Sequence, residues 1–206
     1  MPRKQLSGSF QEYLTVPADS LILIPDHLIK RVPDAAALCG ALCSGSAGLM
    51  AIRAVKIRAQ DVVVVVGVGG AIGQYATSIA RNVYGAKVIG INMGSKVAAM
   101  EKDGYSEYVD VLLPAPADNA SPDSWDLFVR SILECCTHLR PDKSIKRAAD
   151  ALIVAASSAA AFRNLEDYVC DGGWIVCSGR AGFLMGYGSP CPYMMLLSGT
   201  SMLQAR

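Results

Sequence analysis

The chain reads as an α/β protein built on a doubly wound parallel sheet. Three features of the sequence predict that fold. Val62–Val66 is an unbroken run of β-branched residues, the composition of a strand buried on both faces of a parallel sheet. A glycine-rich stretch at 67–73 follows without a gap, and residues 74–84 then repeat apolar side chains at helical spacing. Further on, strand-like and helix-like segments alternate, the order that a parallel sheet with crossover helices requires.

Taken in order, the elements fall into two domains, residues 1–33 and 34–206. In the first, residues 7–16 alternate like a strand, with Phe10, Tyr13 and Val16 as the buried positions. Leu21, Ile22, Leu23 and Ile24 form a second short strand, ended by Pro25 and Asp26. Two strands cannot bury a core alone, so they are expected to be the last strands of a preceding β-rich unit. Pro33 and Asp34 then open a small-residue helix running to about Lys56. Ser44, Gly45 and Ser46 weaken it, which predicts a break near Gly45 and a second helix through 49–55.

The 74–84 helix buries Ile72, Ala76, Ile79, Ala80 and Val83, and Gly85 stops it. Residues 86–91 are the second strand, 95–102 a short helix and 108–111 the third strand. Pro114, Pro116 and Pro122 mark 113–122 as a loop. Residues 125–139 are helical, 151–155 the fourth strand, 159–170 a helix and 174–177 the fifth strand. The segment 194–203 is expected to end in an apolar strand on a sheet edge, an invitation to self-association.

Composition narrows the function classes. A formal net charge of +1 over 206 residues gives no electrostatic case for nucleic acid or an anionic membrane. The longest apolar run, bracketed by Asp61 and the glycines, falls short of a membrane span. The first residues carry no apolar signal core. The seven cysteines, at 39, 43, 135, 136, 170, 177 and 191, form no C-x-x-C pair and read as reduced thiols in a cytoplasmic setting.

The chemistry lies at the strand–glycine–helix corner. Glycines let the backbone turn tightly and approach a pyrophosphate, and the free N–H groups and positive end of the helix stabilise the anion. Such a corner reads as the phosphate cradle of a dinucleotide-binding fold, with a glycine turn that only packs a helix on a sheet as the plainer alternative. The pattern departs from G-x-G-x-x-G, because Ile72 stands where the third glycine would fall.

Several segments together resemble the zinc-containing medium-chain alcohol dehydrogenase family. Gly8-Ser-Phe-Gln-Glu-Tyr13 is similar to its "G-S-F-x-x-Y" strand, and Leu42-Cys-Ser-Gly45 to its "L-C-A-G" segment. Lys87-Val-Ile-Gly-Ile-Asn92 is similar to its second strand. Asp171-Gly-Gly-Trp-Ile-Val-Cys-Ser-Gly179 is similar to its "x-G-G-x-x-V-x-x-G" strand. The resemblance implies a Rossmann cofactor domain preceded by a remnant of a GroES-like catalytic domain, with the family's N-terminal part largely missing. The segment 113–150 is longer than the pattern by about a helix, an insertion.

The resemblance further implies hydride transfer between NAD or NADP and a small alcohol or carbonyl substrate. In the family, a zinc ion on two Cys and one His polarises the substrate oxygen. The implied cofactor-binding set is Gly67, Gly69, Gly70, Ala71, Ile72, Gly73, Asn92, Lys96, Ala155 and Gly179, with Ala156 beside it. Asn92 stands where NAD-preferring members place an Asp, so nothing repels a 2′-phosphate, and Ser95 and Lys96 could contact one. Cys43 matches one zinc ligand and the other two have no counterpart. Cys39, one turn before Cys43, and His27 are the local candidates, with apolar packing and solvent exposure as their plainer roles. His138 reads as a cation at a helix end, and Cys135 and Cys136 as packing residues pointing apart. Two rivals stay open: a catalytically inactive nucleotide-binding remnant, and a zinc-free quinone or enone reductase.

Overall fold

The computed structural model describes residues 12–140, 147–178, 195–197 and 200–204. The chain divides into two compact units, Met1–Leu38 and Cys39–Arg206. In the first, Ala18–Ser20 is a 3-10 turn and α1, Asp26–Ile29, is a single helical turn. Neither expected strand forms among its described residues. Tyr13 is 86% exposed and Leu23 92% exposed. Alternation makes a strand only where a neighbouring strand accepts its hydrogen bonds, and none is present in this unit among the described residues. Residues 7–11, with Phe10, lie outside the described residues.

A helical stretch follows: α2, Ala36–Gly40, a π turn at Ala41–Gly45, and α3, Ser46–Ala54. The break expected near Gly45 is therefore a π turn that keeps the chain helical. Residues 36–54 are long and apolar enough to cross a membrane by length and composition, with mean hydropathy 1.4, although no single unbroken apolar run in the sequence reaches that length. A Cβ at Gly48 would sit 2.9 Å from the Ala76 nitrogen, so α3 lies directly on the next helix.

The second unit is a seven-stranded sheet in the order β3-β2-β1-β4-β5-β7-β6. The parallel strands are β1 (Val62–Val66), β2 (Lys87–Met93), β3 (Val111–Ala115), β4 (Ala149–Val154) and β5 (Val169–Ser178). Their connecting helices are α4 (Ala71–Asn82), α5 (Gly94–Lys102) and α6 (Pro122–Leu139). Strand order reverses between β1 and β4, which opens a crevice at their carboxyl ends. All of β1 is buried. Val63 and Val65 pack with Ala51, Ile52, Ala76 and Ala80 on one face. Val62, Val64 and Val66 pack with Ile132, Cys136 and Leu152 on the other.

Several local expectations need correction. Val83 is 72% exposed, and Thr77 takes a buried place on α4 instead. The third strand starts at Val111. Gly104, at φ 74, opens a 3-10 turn over Tyr105–Tyr108, and the Asp110 carboxylate is held by the Val88 N–H and Lys87. Pro114, taken as a loop residue, lies in β3, an edge strand where a missing N–H costs little.

The 159–170 helix is replaced by two 3-10 turns, Ala159–Phe162 and Leu165–Tyr168. Asn164 divides them at φ 58, a conformation that ends a helix. Asp171, Gly172 and Gly173, taken as a helix stop, belong to β5. There they bulge, so that the pairing jumps from Ala149–Val169 to Ala151–Trp174. At the C-terminus, β7 (Thr200–Gln204) pairs antiparallel with β5 on one side and β6 (Met195–Leu197) on the other. The last strand is therefore not the edge; the three-residue β6 is. Met194 lies outside the described residues.

Within the segment expected to be an insertion, α6 is the crossover from β3 to β4. Ser121 caps it by accepting from the Ser124 N–H at 3.3 Å, and Pro122 opens it. At its far end Arg140 donates to Asp150 at 2.9 Å, and the same carboxylate oxygen accepts the Val62 N–H at 2.9 Å. Both side chains are about nine-tenths buried. One carboxylate thus ties α6 to β4 and β1. Asp150→Ala should lower the unfolding free energy in urea melts by about 3–5 kcal/mol, since it leaves a buried guanidinium uncompensated. A loss under about 1 kcal/mol would make the pair no stronger than a surface bridge.

Candidate functional site

The turn after β1 is organised by its backbone. Gly67, at φ 84, and Val68 both donate to the Ile91 carbonyl, at 2.8 and 3.2 Å. The Gly70 N–H donates to the Gly67 carbonyl at 3.0 Å, and the Gln74 N–H to that of Gly70 at 2.9 Å. The N–H groups of Gly69, Ala71, Ile72 and Gly73 meet no acceptor among the described residues. No side chain caps α4 and no acidic residue stands in its first turn. The positive helix end is left for an anion.

The glycines are needed for space. A Cβ on Gly73 would run into the Gly67 carbonyl oxygen, and one on Gly67 would sit 2.8 Å from the Ala155 oxygen. The close approach of strand and helix falls on Gly73, so Ile72 takes no glycine's place. Ala155 donates to the Val66 carbonyl at 2.8 Å, which brings the end of β4 to the same corner.

Asn92 is where the sequence places it, near the carboxyl end of β2, and is buried at 8% exposure. Its Oδ1 accepts the Met93 N–H at 3.0 Å, while its Nδ2 faces the Met100 sulfur at 3.8 Å. A Cβ on Gly69 would come within 2.6 Å of that Nδ2. Asn92 therefore lies against the turn. Lys96 is exposed on α5 and forms no ion pair among the described residues. Gly179 lies outside the described residues.

Beside the turn a cleft opens across the ends of β1, β2, β3 and β4. Val66, Gly67, Asn92 and Met93 line one side, and Ala156, Trp125, Phe128 and Tyr168 another. Trp125 and Phe128 meet edge to face at 5.9 Å, and the Arg163 guanidinium lies over the Trp125 ring at 4.8 Å. Trp125 Nε1 is buried with no partner among the described residues. Sequence reasoning missed this aromatic wall, because the helical period of α6 gave no hint of which face meets the turn.

The cysteines divide by exposure. Cys39 and Cys43 are both exposed, so Cys39 is not the packed residue expected as its plainer role. Among the described residues no group of three or more His, Cys, Asp or Glu could hold a metal ion, and His27 sits on α1. The donor set does not fit a zinc site. Cys136 is buried and Cys135 half-buried, in line with packing. Burial pushes the Cys136 thiol up to about 12, against the opposing pull of Arg140. Only the thiolate is nucleophilic, so a raised value means a protonated, inert thiol at pH 8. Iodoacetamide at pH 8 should label Cys39 and Cys43 within minutes and leave Cys136 untouched until denaturant is added, as read by peptide mass mapping. Early labelling of Cys136 would contradict its burial.

No protein-family model matches the chain. Alcohol dehydrogenase 2 of Emericella nidulans is 34% identical over 104 residues, which are 50% of this chain and 27% of that protein. Acryloyl-coenzyme A reductase of Sulfurisphaera tokodaii is 32% identical over 108 residues, 52% of this chain and 30% of that protein. Each match thus covers less than a third of the relative's length. A mycobacterial protein solved in complex with NADPH shares the fold at TM-score 0.53 and 21% identity, over 77% of this chain and 41% of that one. In fold, and over about half its length in sequence, the chain resembles the nucleotide-binding part of the medium-chain alcohol dehydrogenases and their reductase relatives.

Proposed function

We propose that the chain binds a nicotinamide dinucleotide, NAD or NADP, and forms the cofactor part of an oxidoreductase acting on a small alcohol or carbonyl compound. The observation that carries this is the set of unengaged N–H groups at Gly69, Ala71, Ile72 and Gly73, placed where the strand order reverses. These groups would hold the pyrophosphate, with the Gly67 and Gly73 contacts keeping the backbone close. Asn92 would face the adenosine ribose, and Ala155, Ala156 and Gly179 the nicotinamide side. Bound there, the nicotinamide would supply the hydride acceptor or donor; the chain's own part is to bind, orient and exclude water. The segment 1–33 is read as the end of a preceding substrate domain in a longer protein, and substrate walls would come from that domain.

Zinc has no place in this account, because Cys43 lacks a second and third ligand among the described residues. A second reading is a zinc-free reductase of activated double bonds or quinones, in keeping with the acryloyl-coenzyme A reductase relative. An inactive nucleotide-binding remnant would share the turn and lack turnover.

Asn92 in place of a carboxylate removes repulsion against a 2′-phosphate, while exposed Lys96 adds only about 0–1 kcal/mol of attraction. Titration by reduced-nucleotide fluorescence should therefore find NADH and NADPH bound with affinities within tenfold of each other. NADH bound more than tenfold tighter would overturn the role given to Asn92, and no binding of either would overturn the nucleotide reading. Elemental analysis of protein purified without chelator should find no stoichiometric zinc. One zinc per chain, lost on Cys43→Ser, would reverse the metal conclusion.

A further inference from the structure

The turn's free N–H groups need an explanation of their own. A trans peptide points its C=O and N–H in opposite directions, so fixing a carbonyl fixes where the next residue's N–H points. After Val68 the chain has two consecutive glycines, whose peptide planes rotate with little steric resistance. A rotation of the Val68–Gly69 plane would present a carbonyl oxygen to the anion in place of an N–H. The backbone supplies no donor to stop it: the Gly70 N–H is taken by the Gly67 carbonyl.

Two side chains from outside the turn do supply donors. The Tyr105 hydroxyl donates to the Val68 carbonyl at 3.3 Å. Gln74 Nε2 donates to the Gly69 carbonyl at 3.1 Å. Tyr105 comes from the 3-10 turn after α5, so the bond joins two elements 37 residues apart in sequence. It is half-buried, and Val68 is fully buried. Burial raises the Tyr105 phenol above its ordinary value, the nearby Thr77 hydroxyl opposes that, and Tyr108 adds to it. The hydroxyl therefore stays a neutral donor across the physiological range.

Resting on the nucleotide reading above, we infer that Tyr105 is a positioning residue for the pyrophosphate: by holding the Val68 carbonyl it aims the Gly69 N–H at the anion. Gln74 does the same for the following plane, whose N–H serves the turn itself. The consequence is selective. Loss of the Tyr105 hydroxyl weakens ligands that carry a pyrophosphate and spares those that carry only the nucleoside.

The test is Tyr105→Phe, which keeps the ring and its packing. Calorimetric titration with ADP-ribose is paired with adenosine binding followed by saturation-transfer NMR, and thermal melts report stability. The expected result is ADP-ribose weakened about tenfold, near 1.4 kcal/mol, with adenosine unchanged. Wild-type protein that binds ADP-ribose, with a variant of equal affinity, overturns the role of Tyr105 and leaves nucleotide binding intact. A variant that loses both ligands alike together with thermal stability overturns it as well, since the hydroxyl is then merely structural. Wild-type protein that binds no ADP-ribose overturns the nucleotide reading and this inference together.

Discussion

The constraint on which this structure rests is the contact between Gly73 and the carbonyl of Gly67. It lets α4 start within a few residues of the end of β1. Any side chain at 73 would push the helix off the strand. Because the helix starts there, its first N–H groups open toward the crevice, and its buried face lands on Val63 and Val65. The same closeness recurs beside it on that face of the sheet, where Gly48 of α3 sits against the backbone of Ala76. The strand and the two helices on that face of the sheet are thus set by missing side chains. Each substitution costs more than its own volume, because backbone atoms rather than flexible side-chain ends stand in the way.

The opposite face of the sheet is closed by α6, and closed differently. Ile132 and Cys136 pack on Val62, Val64 and Leu152 in the middle of the helix. At one end the Arg140–Asp150 pair fixes the helix to β4 and β1, and at the other Trp125 and Phe128 form a wall of the cleft. The wall carries a cost. Trp125 Nε1 is desolvated without an acceptor among the described residues, an arrangement worth about 1–3 kcal/mol against folding. The Arg163 guanidinium over the ring returns part of that through its attraction to the π face.

Much of the second unit was legible in the sequence, and the reasons are local. A run such as Val62–Val66 has no good alternative to a buried parallel strand, and the glycines dictate a tight turn into a helix straight after it. The ends of elements were less legible. Tyr108 and Val109 carry strand-forming side chains, yet a left-handed Gly104 turns the chain first and delays β3 to Val111. Residues 159–170 have helical composition, but Asn164 takes a left-handed conformation that splits them. The bulge at Cys170–Gly173 depends on pairing with β4, which no local pattern encodes. Leu21, Ile22 and Leu23 misled for the opposite reason: they are apolar enough for a strand and have no partner strand in their unit among the described residues. Of the candidate site, the places of the glycines after β1 and of Asn92 near the end of β2 could be read directly. Tyr105 could not, because its role arises from a contact across 37 residues.

The central claim is that the β1–α4 turn is an anion cradle built from backbone N–H groups. The most direct measurement is a two-dimensional amide NMR titration of isotopically labelled protein with ADP-ribose. The account predicts that the largest shifts fall on the amides of Gly69, Ala71, Ile72 and Gly73, with smaller ones at Asn92 and Ala155, and that residues farther along α6, such as Arg130 and His138, stay still. Shifts centred on Arg130 and His138, or saturable binding that leaves the turn amides unmoved, would contradict it.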